Sequence, residues 1–354
     1  MAKKARAGRG QGKKPSPFGV QTRRRALKSY LQGCGPVTAD NAWEHVYHLL
    51  LSVDRRTRLA HVYDANHMQP GGNFYSRACL FTELLCAHWG IAVTELGEHV
   101  DYMFKACVAE YLAQREVIHG EPTKLEELTG FAREVAELIV ERLQLPVSAE
   151  LVQLADEIDK KGEDYFTMGR KRQNVRGEGH EDVLEWLLLN VSRVPREQLI
   201  VRTSAAKLPG FSKPVTARSS DKPKVPSPDL AIVSADRRLT HWILTAKWST
   251  RQDRLDQFGQ EFTYYHGNKI QQAEVHYVFV TNEMDIARLR GALNPPPGQG
   301  GFHFHRVYHM NLDLLVETQG ERFADLEPYR RQGRLLSLAD LLRQAGEHFG
   351  AQAS

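Results

Sequence analysis

Three short apolar runs, at residues 230–233, 241–246 and 275–280, constrain the fold of this chain more than any other feature. Each run has the length of a buried strand and is too short for a buried helix. The first two runs flank a polar turn near Asp236, so they predict a hairpin within a sheet. We therefore expect an α/β fold with a mixed sheet.

Helical and strand patterns surround these runs. Residues 181–190 and 253–265 have helical patterns, residues 199–201 predict a further strand, and the Pro-, Ser- and Lys-rich residues 208–228 predict a loop. The expected order is helix, strand, strand, strand, helix, strand. A strand at 304–308 and a helix at 338–349 follow.

The N-terminal half has a different character. Residues 38–160 show helical periodicity, with apolar stripes formed by Trp43, Val46, Tyr47 and Leu50 and by Phe131, Val135, Leu138 and Ile139. Ten of the 47 Lys and Arg residues, and none of the 43 Asp and Glu residues, lie within residues 1–30. We predict a disordered basic tail at 1–35, a helical domain at 36–170 and a catalytic domain at 171–354. The tail either attracts a polyanion or only tunes solubility.

Composition excludes two classes of protein. No apolar stretch approaches the roughly 20 residues of a spanning helix, and the N-terminus lacks the apolar region of a secretory signal. The four cysteines show no metal-binding spacing, and a chain of 354 residues needs no disulfide framework. We expect a globular protein with reduced thiols, located in the cytoplasm and without a membrane partner.

Three residues near the predicted hairpin carry groups suited to metal-assisted phosphodiester hydrolysis. Asp229 precedes the first strand, Lys247 follows the second, and Glu261 lies on the next helix. We predict that Asp229 and Glu261 bind Mg²⁺ and that Lys247 holds the attacking water and the scissile phosphate. Each residue taken singly is also common in a turn, at a strand end or on a solvated helix face.

The spacing of this set resembles that of the PD-(D/E)XK nucleases. Their usual pattern has an acid two residues before the lysine, where this chain has Thr245; a variant has Ser or Thr there and an acid on the following helix. More narrowly, the set resembles the type II restriction endonucleases that read CCGG cores, the group of NgoMIV, SgrAI and BsaWI. In that group Arg, Asp and Arg follow the lysine at four, six and seven positions. Arg251, Asp253 and Arg254 match them.

The resemblance implies roles for these further residues. An arginine fork donates to the major-groove acceptors of guanine and a carboxylate accepts from the cytosine amino group, so Arg251, Asp253 and Arg254 are expected to contact bases. The alternative is a surface salt-bridge cluster. A second carboxylate on the helix before the first core strand is implied to support the metal; Glu181 is the closest candidate and Glu185 the next.

The resemblance implies a PD-(D/E)XK nuclease core flanked by helices, with an N-terminal helical domain. The implied function is Mg²⁺-dependent cleavage of double-stranded DNA at a palindrome with a CCGG core, which leaves four-nucleotide 5′ overhangs. A palindrome implies a homodimer, alone or paired into a tetramer, and a cognate DNA methyltransferase is the expected genetic partner. Two alternatives stay open: a repair or modification-dependent nuclease, and a DNA-binding protein with a degenerate nuclease core, suggested by Thr245.

Overall fold

A computed structural model describes residues 15–63, 68–116, 124–128, 130–143, 146–211, 225–234, 240–250, 252–269, 273–293 and 304–350. The helices are α1 (Val20–Gly33), α2 (Ala42–Leu50), α3 (Tyr75–Trp89), α4 (Leu96–His99), α5 (Tyr102–Glu116), α6 (Gly130–Leu143), α7 (Ala149–Asn190), α8 (Gln252–Gly267), α9 (Ile286–Leu293), α10 (Leu312–Gln319), α11 (Glu327–Arg331) and α12 (Leu338–Phe349). The strands are β1 (Leu199–Val201), β2 (Leu230–Val233), β3 (Thr240–Lys247), β4 (Glu274–Thr281), β5 (Arg306–His309) and β6 (Leu335–Ser337).

Within these ranges six strands form one mixed sheet in the order β1-β2-β3-β4-β5-β6. Strand β2 pairs antiparallel with both β1 and β3, whereas β3, β4, β5 and β6 pair in parallel. A parallel pair needs a crossover connection, and helices α8 to α11 lie in the connections between the parallel strands. The predicted α/β fold with a mixed sheet is confirmed, as is the predicted order of its first elements.

Aromatic packing attaches α8 to the sheet. Phe258 on α8 lies 5.5 Å from Phe279 of β4 and 5.1 Å from Phe304, measured between ring centroids, and all three side chains are buried. Large buried aromatic side chains make a substantial part of a core because each removes a wide apolar surface from water. This packing holds the next turn of α8, which carries Glu261, against the sheet.

The chain divides into two compact units that differ from the predicted domains. One contains residues 1–28 and 105–172, and the other contains 29–104 and 173–354. Residues 36–104 therefore group with the sheet and not with a separate helical domain. The reason is visible in α2, where Tyr47 is fully buried and donates a 2.7 Å hydrogen bond to Asn282 beyond β4. Helix α7 also continues through the predicted boundary at residue 170.

The unit of residues 1–28 and 105–172 has its own small core. Leu128, Ala132, Ala136, Leu151, Val152 and Ala155 form it. The stripe predicted for α6 is partly wrong, since Leu138 is 53% exposed whereas Ala132 and Ala136 are buried. Small side chains let helices approach closely, so α6 packs through a face rotated from the one that the large residues suggested.

The predicted disorder of residues 1–35 is wrong for residues 20–33, which form α1. Thr22, Arg23, Ala26 and Leu27 are buried, whereas the basic residues between them are exposed. This is an amphipathic helix in which Arg23 Nη1 donates a 2.9 Å hydrogen bond to the Phe18 carbonyl. Residues 1–14 lie outside the described ranges.

Two further expectations concern membranes and thiols. No single helix in the described ranges is both long and apolar enough to cross a membrane. Helix α3 and residues 93–99 together have the length and the apolar composition of a membrane span, but a bend of 93° separates them. Cys34, Cys79, Cys86 and Cys107 are all free thiols.

Candidate active site

A cleft of about 490 Å³ opens where β2 begins and β3 ends, between α7 and α8. Its lining residues are Gln173, Asn174, Gly177, Glu178, Glu181, Ser227, Asp229, Thr245, Lys247, Ser249, Thr250, Gln257, Phe258 and Glu261. Four residues predicted from the sequence to act together, Asp229, Lys247, Glu261 and Glu181, therefore line one cleft. They come from four separate segments of the chain.

Strand register brings Asp229 and Lys247 together. Leu230 pairs with Leu244 in the antiparallel β2–β3 ladder, so Asp229 lies just beyond this pair and beside the end of β3. Lys247 Nζ donates to Asp229 Oδ1 at 2.9 Å and to Oδ2 at 2.7 Å. The Ala246 amide also donates to Oδ2, at 2.8 Å. The carboxylate is thus held by an ammonium group and a backbone amide, and the ammonium group faces the cleft.

Two side chains orient Glu261. The Tyr277 hydroxyl donates a 2.6 Å hydrogen bond to Glu261 Oε2, and Gln257 Nε2 donates to Oε1 at 2.8 Å. Tyr277 is fully buried in β4, and burial, followed by the charge of Glu261, raises its pKa well above the usual value. The phenol therefore keeps its proton and acts as a donor to the carboxylate.

Thr245 belongs to the same hydrogen-bonded chain. It stands on β3 two residues before Lys247, and alternation places both side chains on one face of the sheet. Its hydroxyl donates a 3.1 Å hydrogen bond to the Tyr277 oxygen. At the position where the usual pattern has an acid, this chain thus has a neutral group linked through Tyr277 to Glu261.

Arg202 holds Glu181 in place. Its Nε donates to Glu181 Oε2 at 2.5 Å, and its Nη2 donates to Asp182 Oδ1 at 3.0 Å and to the Glu178 carbonyl at 2.9 Å. The Arg202 amide donates to the Asp229 carbonyl at 3.1 Å. The backbone of Arg202 has φ 49°, in the left-handed region that costs energy for residues with a Cβ. This strained residue links the end of β1 to α7.

The pKa of Glu181 is raised to about 7. Burial is the main cause and the charge of Asp229 is the second, while Arg202 opposes both. Asp229 and Glu181 are therefore close enough for their negative charges to repel each other. A divalent cation between them would relieve this repulsion.

The lining residues fit Mg²⁺ in their chemistry. Mg²⁺ prefers oxygen ligands, keeps several waters and is usually held by one or two carboxylates together with substrate phosphates. Asp229, Glu181 and Glu261 supply carboxylates only, without histidine or cysteine. Among the described residues no three His, Cys, Asp or Glu side chains form a group that could hold a metal ion, so a site here would depend on waters and substrate.

The other predicted site residues are Glu185, which lies outside the cleft, and the three predicted base-contacting residues, whose side chains are not described. Glu185, the second candidate for the supporting carboxylate, accepts a 2.6 Å hydrogen bond from Arg196 and does not line the cleft. Arg251 lies outside the described residues. Asp253 and Arg254 fall in the first turn of α8, and their side chains lie outside the described part of the structure.

Four residues at or near the cleft were not predicted from the sequence: Tyr277, Gln257, Arg202 and His180. His180 is fully buried, edge-on to Trp248 at 5.8 Å between ring centroids, and burial together with the charge of Lys247 lowers its pKa to about 3. It is therefore neutral. Gln257 stands four residues before Glu261, a spacing visible in the sequence, whereas the contacts of the other three depend on strand register and helix placement.

Comparison with known proteins finds little at the sequence level. No protein-family model matches the chain, and no curated protein matches it. Among solved structures, the chain is similar to restriction endonuclease PspGI in its complex with substrate DNA, with 11% identity and a TM-score of 0.33 over 84% of this chain and 97% of that chain. This similarity is distant.

Proposed function

We propose that this protein is a Mg²⁺-dependent endonuclease that hydrolyses phosphodiester bonds of double-stranded DNA. The observation that carries the proposal is that Asp229, Lys247, Glu261 and Glu181, from four separate segments, line one cleft. Carboxylates and an amine together are the groups that phosphodiester hydrolysis requires. The order of α7, β1, β2, β3, α8 and β4 supports a PD-(D/E)XK core.

The geometry supports a separate role for each of these residues in the cleft. Asp229 and Glu261 would hold Mg²⁺, with Glu181 supporting it, and the metal would neutralise the charge that develops on the phosphate. Lys247, fixed by both oxygens of Asp229, would orient the attacking water and donate to a phosphate oxygen. Tyr277 and Gln257 fix the orientation of Glu261, so little reorganisation is needed at the moment of reaction.

We further propose a type II restriction endonuclease that recognises a palindrome with a CCGG core and leaves 5′ four-nucleotide overhangs. The support is the spacing of Arg251, Asp253 and Arg254 after Lys247. Asp253 and Arg254 fall at the start of α8, the same helix that carries Glu261 into the cleft. A palindrome is read by two subunits, so we propose a homodimer or a pair of dimers. We also propose that the protein is located in the cytoplasm and has a cognate DNA methyltransferase as its genetic partner.

Digestion of a DNA of known sequence with the purified protein and Mg²⁺, followed by sequencing of the ends, tests both the nuclease activity and the sequence specificity. We expect cuts before the first C of CCGG-centred sites. Glu261→Ala should abolish cleavage and retain binding, while Glu317→Ala, an exposed glutamate on α10 outside the cleft, should leave both unchanged. Cleavage by the Glu261→Ala protein at the normal rate would refute the role of this cleft.

Sequence recognition has a separate test. Arg254→Ala should weaken binding to a CCGG duplex by about 1–3 kcal/mol, as for one lost bidentate base contact. Binding to a duplex without CCGG should change much less. An equal loss on both duplexes would contradict base recognition and leave the nuclease proposal standing.

One observation favours a second candidate, a DNA-binding protein with a degenerate nuclease core. Thr245 occupies the place of the usual acid, and its neutral hydroxyl, which donates to Tyr277, lacks the charge with which a carboxylate binds a metal. For such a protein the wild type would bind DNA without cutting it in Mg²⁺, and Glu261→Ala would have no activity to remove.

A further inference from the structure

One face of α7 forms a wall of the cleft that the proposed chemistry does not use. Asn174, Gly177 and Glu181 lie at i, i+3 and i+7, and Gln173 lies four residues before Gly177, so all four share the side of the helix that lines the cleft. Glu181 belongs to the proposed metal site. We call Gln173, Asn174 and Gly177 the α7 wall.

No atom of the described residues lies close enough to Gly177 to require a glycine there. A Cβ at Gly179, two residues on, would lie 2.5 Å from Met103 Sδ, so a side chain there is excluded by the neighbouring atoms. A Cβ at Gly177 would have no atom within 4 Å. Glycine inside a helix costs about 1 kcal/mol relative to alanine. The absence of a side chain at Gly177 therefore leaves a space in the cleft at a cost to the helix.

The two amides of the wall are available to a ligand. Gln173 and Asn174 are exposed, and within the described chain neither side chain forms a hydrogen bond. Their neighbours on the helix, Glu178 and Glu181, are acidic. Neutral amides can donate to phosphate or sugar oxygens without adding positive charge beside these carboxylates.

We propose that the α7 wall holds the sugar–phosphate backbone of the DNA strand next to the scissile bond. The strand would pass over Gly177 at van der Waals distance, and Gln173 and Asn174 would donate hydrogen bonds to its oxygens. This inference rests on the proposed nuclease function. Asn174 lies about 10 Å along the helix from Glu181, so the contact falls on the nucleotides adjacent to the site of cleavage.

Contact with the backbone has a distinct signature. Phosphate and sugar contacts carry no sequence information, so their loss weakens binding to all duplexes alike. A neutral amide displaces no condensed cation, so the slope of binding against salt concentration should stay unchanged, unlike the loss of a lysine contact.

Gly177→Ala and Gly177→Leu test the inference, with Gly169→Ala and Gly169→Leu as matched controls. Gly169 lies on the same helix outside the cleft, and a Cβ added to it would also have no atom within 4 Å. Binding to two duplexes, with and without CCGG, would be measured in EDTA together with the melting temperature. We expect both alanine variants to raise Tm by about 1–2 °C, because alanine favours the helix.

The DNA affinity of the Gly177 variants should differ from that of the Gly169 variants. Gly177→Leu should weaken binding to both duplexes by about ten-fold or more, with an unchanged salt slope, and Gly177→Ala by less. The Gly169 variants should bind normally. Unchanged binding by a folded Gly177→Leu protein would overturn the inference, as would a loss confined to the CCGG duplex. If the wild type neither binds nor cuts DNA, the proposed function itself falls.

A second substitution, Asn174→Ala, tests the amide contact. It should weaken binding to both duplexes by a similar factor, while Asn190→Ala, at the far end of α7, should not. Equal binding by the Asn174→Ala and wild-type proteins would remove the amide contact from the proposal and overturn it.

Discussion

Opposing effects act on the pKa of the Glu181 carboxylate. Burial and the charge of Asp229 favour its neutral form, whereas Arg202 favours the ionised form, and the balance raises its pKa from 4.5 to about 7. Because this pKa is higher in the folded state than in the unfolded chain, the contribution of Glu181 to stability is fully present below pH 4.5 and is lost as pH rises through about 7.

The Glu181→Gln variant should lack this dependence. In EDTA, we expect its free energy of unfolding relative to wild type to rise by about 1–3 kcal/mol between pH 4.5 and pH 8. Denaturant titrations at four or five pH values would measure the difference. A constant difference between the two proteins over this range would show that Glu181 has an ordinary pKa.

Tyr277→Phe removes one of the two donors that orient Glu261. We expect a loss of about 1–2 kcal/mol in stability, because Glu261 and Thr245 each lose a partner. We also expect cleavage to slow by about 10-fold or more, as when an outer partner of a metal ligand is removed. Chemical denaturation and single-turnover cleavage would measure the two effects.

Tyr308→Phe is the matched control for this change. Tyr308 is also buried, and its hydroxyl donates a 2.8 Å hydrogen bond to Gln344 away from the cleft. Its loss should cost similar stability and leave cleavage unchanged. Equal slowing of both variants would show that Tyr277 acts only through stability.

The residues that carry chemistry were partly predictable from their spacing. Asp229 and Lys247 flank two strands whose hairpin is evident in the sequence, so their proximity follows from an antiparallel register. Tyr277 could not be predicted as a partner of Glu261, because its place depends on how β4 pairs with β3. Arg202 could not be predicted either, since its clamp depends on a left-handed backbone.

At the scale of elements, Arg202 connects β1 to α7. Arg202→Ala should lower stability by about 2–3 kcal/mol, because it removes the guanidinium group that contacts both Glu181 and Asp182. Arg202→Gly should be less destabilising than Arg202→Ala by about 0.5–1 kcal/mol, since glycine adopts positive φ without strain. Urea denaturation of both variants would measure this.

Arg58 offers the control, because it is exposed and its φ is 61°. The same advantage of glycine over alanine should appear there, without the larger loss. A loss for Arg202→Ala no larger than the loss for Arg58→Ala would show that the clamp contributes nothing to stability.

Some elements were predictable and others were not. The apolar runs of β2, β3 and β4 lie within a residue or two of their predicted bounds because a buried strand needs a continuous apolar segment. Helix α7 was predicted only in part, as the end of the helical region 38–160 and as residues 181–190, since charged residues and Gly169, Gly177 and Gly179 interrupt any apolar stripe between them. Strand β6 was missed because three residues show no periodicity.

At the scale of the whole molecule, residues 29–104 belong with the sheet. Tyr47 donates to Asn282, and the Tyr63 hydroxyl donates to the Met284 carbonyl while accepting from Gln319. These buried bonds join segments more than 200 residues apart. The fragment 171–354, although it contains all the predicted site residues, lacks one side of this network.

We therefore expect the fragment 171–354 not to fold on its own. Its near-UV circular dichroism should be weak, and its thermal unfolding should lack the cooperative transition of the full chain. The full chain under the same conditions is the comparison. A fragment with a sharp transition and native-like near-UV signal would show that residues 29–104 are dispensable for the sheet.

The strands are arranged in the sheet in the same order as along the chain. During synthesis on the ribosome, every new strand can therefore join an edge that already exists, and no strand waits for a neighbour still to be translated. Tyr47 is the opposite case, because its partner Asn282 emerges 235 residues later. Tyr47 can pack early against Phe81 of α3, but its hydrogen-bond partner is missing over that interval, so we expect this part of α2 to be exposed to chaperones on the nascent chain.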